Sequence, residues 1–284
     1  MKAASAGKSG RNRFMGIATL KDMIEAGVHF GSAASRWNPK MKPYIFSKQN
    51  KIHIIDLRES LKGLIRTWHF LAQTAASGKQ ILFVGTKRQA ADIIRQEATR
   101  CESYFVSNRW LGGTLTNMNT MRRRITRLQE LEDLEKNGQL QEFSKKMISS
   151  LSREKRKIFR NFEGIRNMKD IPGAIVMVDP GTEHIAIAEG MKLGIPLIGL
   201  IDTDDDPSNL DFVIPGNDDA FCSIQFVVSK LADAVIEGKK RFALQGTVKQ
   251  RAEGRDDAQA EKAKEIATPQ DFSQVGGFSY GGEE

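Results

Sequence analysis

Ile81-Leu82-Phe83-Val84-Gly85-Thr86-Lys87-Arg88 decides the fold. Four consecutive apolar residues read as a strand buried on both faces, Gly85-Thr86 turns the chain, and from Arg88 to Arg100 apolar positions recur at helical spacing. Outward from this unit the alternation repeats. Upstream, Ile52 to Leu57 reads as a short buried strand leading into a helix-period stretch through Leu61, Leu64, Trp68 and Leu71 that Gly78 stops. Downstream come a brief strand at Tyr104-Phe105-Val106 and, after a long interruption, apolar runs at 174–178, 197–201 and 212–214. A helix from His184 to Leu193 separates the first two, and a final helix follows from about Asp219 to Ile236. Buried strands alternating with helices specify an α/β chain with a mostly parallel sheet covered on both sides, three layers in all.

The interruption has another texture. Met121, Ile125, Leu128, Leu131 and Leu134 form one narrow apolar stripe, Asn137-Gly138 breaks it, and Leu140 to Phe159 carries a second. Such stripes fit either an antiparallel helical hairpin projecting from the sheet as a short coiled coil or two helices that cover the core. Charge favours projection: bases outnumber acids between 121 and 170 and gather at 122–127 and 153–160, which an antiparallel pair would bring together at its root. The expected organisation is a basic disordered arm (1–16), a parallel-sheet domain in two pieces (17–115 and 161–245), the inserted hairpin (116–160) and a polar, Gly-rich tail (246–284). The tail has too few apolar groups to offset the entropy of ordering.

With Lys+Arg 43 against Asp+Glu 35, the chain carries a net charge of +8, which directs attention to polyanionic partners. Its 40% hydrophobic content suits a soluble globular protein. Two distant cysteines, Cys101 and Cys222, indicate neither a disulfide framework nor a zinc knuckle, and fit a reducing compartment. The acid-free N-terminus lacks the apolar core of a secretory signal; it reads as an arm that condenses on RNA rather than an organelle transit peptide. No membrane, cofactor or small-molecule substrate is expected.

Two segments carry the functional reading: Arg36-Trp37-Asn38-Pro39-Lys40-Met41-Lys42-Pro43-Tyr44 and Arg109-Trp110-Leu111-Gly112-Gly113-Thr114-Leu115-Thr116-Asn117. Pro and Gly exclude regular elements and expose backbone amides, the bases supply charge, and neither segment holds a His, Cys or carboxylate. They suit a nucleic-acid backbone and unpaired bases better than catalysis. Arg36, Lys40, Lys42, Lys87, Arg88, Arg109, Arg122, Arg123, Arg124 and Arg127 are the candidates for phosphate contact. Trp37, Tyr44 and Trp110 are the candidate stacking faces, with Trp37 and Trp110 alternatively plugs that lock the loops to the core.

The turn at 85–88 sits where a strand opens a helix, a place for a phosphate, but it lacks the second glycine and the Lys-Ser/Thr pair of a P-loop. A polynucleotide phosphate held by Lys87 and Arg88 is the better fit. The stretch Asp202-Thr203-Asp204-Asp205-Asp206-Pro207 is the enzyme alternative, a magnesium-dependent phosphatase using the Asp202/Asp204 carboxylates. Asp218-Asp219 follows too soon for the remaining catalytic strands, so these aspartates read instead as acceptors for turn amides and as caps of the last helix. The four histidines have no partner at metal spacing.

In order along the chain, Gly27-Val28-His29-Phe30-Gly31, Arg36 to Phe46, Ile52 to Leu57, Ile81 to Ala90, Arg109 to Asn117, Leu193 to Leu197, Asp202-Thr203 with Asp206-Pro207, and Ile214 to Ala220 resemble the S-two family of small ribosomal subunit proteins, bacterial type. The resemblance covers about residues 17 to 240. It implies a flavodoxin-like sheet with an inserted helical hairpin and no catalysis. It also implies a place at the head–body junction near the messenger exit, against ribosomal RNA and neighbouring ribosomal proteins, including the large messenger-binding S-one family protein, in the bacterial cytosol. The chain departs from the family at Ser32-Ala33, where His and Gln are usual, at Ser35, where a base is usual, and at Asp204, where Asn is usual.

Overall fold

The computed structural model describes residues 18–139 and 143–266, with backbone alone beyond residue 244. In chain order its elements are α1 (Leu20–Glu25), β1 (Phe30–Ala33), β2 (Ile45–Gln49), β3 (Ile52–Ile55), α2 (Leu57–Ala76), β4 (Ile81–Val84), α3 (Arg88–Arg100), β5 (Tyr104–Val106), α4 (Met118–Lys136), α5 (Lys145–Phe162), β6 (Ala174–Val178), α6 (His184–Leu193), β7 (Leu197–Ile201), β8 (Phe212–Pro215) and α7 (Phe221–Ile266). The chain forms two compact units, Met1–Lys240 and Arg241–Glu284, and of the second the structure describes the helix to Ile266, with side chains only through residue 244. None of the described helices is long and apolar enough to cross a membrane.

β4 to β8 form a five-stranded, all-parallel sheet in the order β5-β4-β6-β7-β8. Numbered from β4, that is the 2-1-3-4-5 order of doubly wound sheets, consistent with a flavodoxin-like fold. The alternation of side chains sorts each strand between two cores. Ile81 and Phe83 of β4 join Val176 of β6 on the face covered by Leu64 and Leu71 of α2, Ile93 and Ile94 of α3, and Val227 and Leu231 of α7. Leu82, Val84, Ile175 and Met177 face the other way, with Leu128 and Leu131 of α4, Leu151 and Ile158 of α5 and Ile187 of α6. The central strands β4, β6 and β7 are therefore buried along their whole length, as their unbroken apolar runs require.

α4 and α5 pair through Leu128, Leu131 and Leu151, and Arg127 reaches Glu154 at 3.3 Å. Their buried residues are continuous with the second core, so the root of the pair covers the sheet, while Phe143 and Met147 near the far end are exposed.

Three expectations need correction. Ile52–Ile55 is not a strand of the parallel sheet: it is the middle of a separate antiparallel sheet, order β1-β3-β2, joined to β2 by a tight turn in which Asn50 (φ 48) and Lys51 (φ 66) are both left-handed. This turn matches strand twist in hairpins but here carries none of the usual glycine, which hid it. The 36–44 segment is not wholly irregular, because Pro39–Tyr44 makes a 3-10 helix whose cap, Asn38, accepts from the Lys40 amide. And α7 does not end near Ile236 but runs to Ile266, through Ala-, Glu-, Lys- and Arg-rich sequence that favours helix without any apolar stripe. The arm expected at 1–16 and the Gly-rich end lie outside the described residues.

Gly63 in α2 faces β8 at a distance that only glycine allows: a methyl group there would lie inside van der Waals contact of the Val213 carbonyl oxygen. Gly63→Ala gains helix propensity of up to ~1 kcal/mol but overpacks this crossing at a cost of about 1–3 kcal/mol. We expect its melting temperature to fall by several degrees in a thermal scan; a rise would contradict the close α2–β8 contact.

Candidate nucleic-acid interface

The loops after β4, β5, β6, β7 and β8 all emerge at the carboxyl edge of the parallel sheet, where open α/β folds place their sites. The loop after β5 contains Arg109–Asn117, and its conformation depends on one residue of α6. Glu189, 7% exposed, accepts from Trp110 Nε1 at 3.0 Å, from the amides of Gly113, Leu115 and Thr116 at 2.7, 2.9 and 3.1 Å, and from the Thr116 hydroxyl at 3.2 Å. Burial alone would raise its carboxyl; the donations from Trp110, Leu115, Gly113 and Thr116 outweigh burial and hold it below the ordinary range. Of the two alternatives left open for Trp110 the structure shows the core plug: it is 5% exposed, its ring is packed in the second core and its one donor is used, so its place among the RNA-contact candidates is not supported. Arg109, beside it, is exposed, and Asn108 donates to the Arg160 carbonyl at 2.9 Å, holding this loop against the end of α5.

The turn after β4 also differs from expectation. The Thr86 amide, the donor that would meet a phosphate, is taken by Glu183 Oε1 at 2.9 Å. Lys87 is half-buried and surrounded by carboxylates, its Nζ 2.6 Å from Asp219, 2.8 Å from Asp218 and 3.5 Å from Asp179. Burial would lower the ammonium, but its hydrogen bonds to Asp218 and Asp219 raise it above its usual value. Lys87 is thus an internal counterion rather than an RNA contact, because any phosphate there would face the same aspartates. Arg88 points out, exposed and without an ion pair among the described residues.

At the end of β7, Asp202 is 2% exposed and accepts from the amide and hydroxyl of Ser32 at 3.0 and 2.8 Å. Asp206 caps the short helix Pro207–Asn209, Asp211 accepts from the Leu197 amide, and Asn217 from the amides of Asp219 and Ala220, so these side chains close turns as their spacing suggested. The 36–44 segment docks on the same corner, with the Asn38 amide 2.8 Å from the Thr203 carbonyl oxygen. Lys40 pairs with Asp206 at 2.7 Å, and this contact pulls the Asp206 carboxyl down to about 2. Trp37 is half-buried against His53, ring centres 5.4 Å apart. Arg36 and Lys42 are exposed.

Along α4, Arg123 and Arg124 are exposed without an ion pair among the described residues. Arg122 donates to the Lys169 carbonyl at 2.9 Å, and Arg127 is shared by Glu130 and Glu154. The members of the expected set without an ion pair or side-chain hydrogen bond among the described residues are therefore Arg36, Lys42, Arg88, Arg109, Arg123 and Arg124. Sequence reasoning missed Glu183 and Glu189. The available signal was an acid at 189 in helical register with the buried Ala186.

Residues 23–238 match the family model for ribosomal protein S2. The chain belongs to that family. The small ribosomal subunit protein uS2 of Rhodopirellula baltica is 55% identical over 220 residues, 78% of this chain and 85% of the relative. This family is structural and non-enzymatic, working in translation as part of the small ribosomal subunit in association with its RNA and proteins, and the phosphatase alternative falls. The local geometry agrees, for Asp202 is locked by Ser32 and Thr203 rather than presented to a substrate.

Two predictions follow from the buried acids. Glu189→Ala strands the Trp110 indole and three amides without an acceptor, and the broken buried carboxylate site should cost about 3–5 kcal/mol, read as a large drop in melting temperature. Because the Glu189 carboxyl is depressed in the fold, its contribution is complete above its ordinary value of 4.5 and is lost as the pH falls through the lower folded value. Glu189→Gln should remove that part of the acid sensitivity.

Asp205 behaves oppositely. Burial first, then the charges of Asp179 and Asp218, push it up to about 8 from 3.8. Between those values the folded state binds the extra proton, so stability falls as the pH rises. Asp205→Asn should melt a few degrees higher than the parent at pH 8 to 9 and converge with it at low pH; a variant less stable at pH 8 would show that the ionised form is favoured.

Proposed function

We propose that this chain grips small-subunit ribosomal RNA through Arg36, Lys42, Arg88, Arg109, Arg123 and Arg124, distributed from the carboxyl edge of the sheet to the first turns of α4. The observation that carries the reading is their freedom: these cations are exposed and unpaired among the described residues, while Lys87 is consumed internally. Each phosphate they neutralise releases counterions, so binding weakens steeply with salt. Lys40 and Arg127 join the interface by exchanging a protein acceptor for a phosphate, Arg122 joins it through the donors that its bond to the Lys169 carbonyl leaves over, and Trp37 and Tyr44, both half-buried, offer ring faces for stacking. Trp110 and Lys87 have no part in it.

The same reading places the protein at the head–body junction near the messenger exit, in the bacterial cytosol. α4 and α5 extend beyond the sheet as an antiparallel coiled coil from a root that covers the core. The exposed apolar residues Leu20, Ile24 and Phe46 suit protein neighbours, among which we include the S-one family protein. The acidic cluster around Asp205 faces away from phosphate.

Sedimentation tests the proposal. Tagged protein should comigrate with small subunits from lysate, resist DNase and dissociate in high salt. Arg123→Glu with Arg124→Glu should lose comigration at moderate salt while keeping its melting temperature. Undiminished incorporation of this variant would remove the root of the helix pair from the interface.

A further inference from the structure

A cleft of about 820 Å³ lies between α4 and the strap formed by residues 166–170. Its size falls in the range of ~300–1,000 Å³ usual for sites that enclose small ligands. The strap is held firmly: the Tyr104 hydroxyl donates to the Asn167 carbonyl at 3.1 Å, Arg122 donates to the Lys169 carbonyl, and Met168 is buried, 6% exposed, in the second core. The cleft therefore has a fixed shape rather than one made by a loose loop.

Its chemistry is divided in a way that suits one kind of occupant. Half-buried Ile125 and buried Met168 form an apolar floor. Gln129 on α4 and Asn167 on the strap are exposed, and neither primary amide has a hydrogen-bond partner among the described residues, so each presents a donor beside an acceptor. Lys169 and the remaining donors of Arg122 supply positive charge at the rim. Arg166 also lines the cleft but is held bidentate by Glu132 at 3.0 and 2.7 Å, and Asp170 is the one acid in the lining.

We propose that this cleft seats an unpaired stretch of small-subunit ribosomal RNA, with a base over Ile125 and Met168, its edge read by Gln129 and Asn167, and its phosphate held by Arg122 and Lys169. This rests on the reading given above and adds base recognition to backbone contact. A duplex does not fit, since its base faces are stacked and its Watson–Crick edges paired, and only an unstacked base can lie over Ile125 and Met168. The inserted pair is thus a reader of RNA single strands as well as a cationic handle.

The experiment measures binding of the full chain to a transcript of the small-subunit ribosomal RNA as a function of salt. Gln129→Ala with Asn167→Ala should bind roughly tenfold more weakly at every salt concentration, with the slope of log K against log salt unchanged, because no charge is removed. Each single variant should show part of the loss. Arg123→Gln should instead reduce the slope by about one. Parental affinity in the double variant overturns the proposal, as does a loss accompanied by a smaller slope. So does parental RNA affinity with failed incorporation into subunits, which would assign the cleft to a protein. If the parent chain itself fails to bind RNA, the functional reading falls, not this cleft alone. Both side chains are exposed, and an unchanged melting temperature verifies that the fold is intact.

Discussion

The Glu189 carboxylate is the interaction on which the surface of this protein depends. It sits on α6, inside the second core, and gathers five donors from a loop more than seventy residues earlier in the chain. Bonds to an ionised acceptor contribute about 1.5–3 kcal/mol each, yet the gain must first offset the cost of burying the charge, so what the arrangement secures is conformation more than stability. A loop with two glycines at 112 and 113 would otherwise sample many shapes. Pinned by Glu189, it turns Trp110 inward, leaves Arg109 outside and delivers the chain to Asn117, which caps α4.

A second set of buried acids accounts for what the fold does not do. The gap between β4 and β6 is the switch point where sheets of this order bind nucleotides. Here Glu183 accepts the Thr86 amide that a phosphate would use, and Lys87 is enclosed by Asp179, Asp218 and Asp219. The protein thus supplies both the anion and the cation of a phosphate site from its own side chains. The sheet is left as a mount, and on the reading proposed above RNA contact falls to outer cations that hold no ion pair among the described residues.

Periodicity carried most of the architecture. Runs such as 81–84 and 174–178 announce strands buried on both faces, and the narrow stripes of 121–134 and 140–159 announce two helices. The small antiparallel sheet was hidden because its turn uses Asn50 and Lys51 in left-handed conformations that non-glycine residues seldom adopt. The interface was legible as composition but not as pairing. Nothing local distinguishes Lys87, whose partners lie about ninety to a hundred and thirty residues away, from Arg88, which has no ion pair among the described residues. Trp110 likewise looked like Trp37 until its acceptor appeared on a helix from the other half of the domain.

Hydrogen exchange at the loop amides tests this account most directly. Gly113, Leu115 and Thr116 belong to no helix or strand, yet as donors to a buried carboxylate they should exchange nearly as slowly at neutral pH as Leu82 and Val176 in the central strands, and faster as acid neutralises Glu189. Rapid exchange at all three in the intact chain, like that of an exposed loop, would contradict the claim that this carboxylate sets the shape of the 109–117 loop.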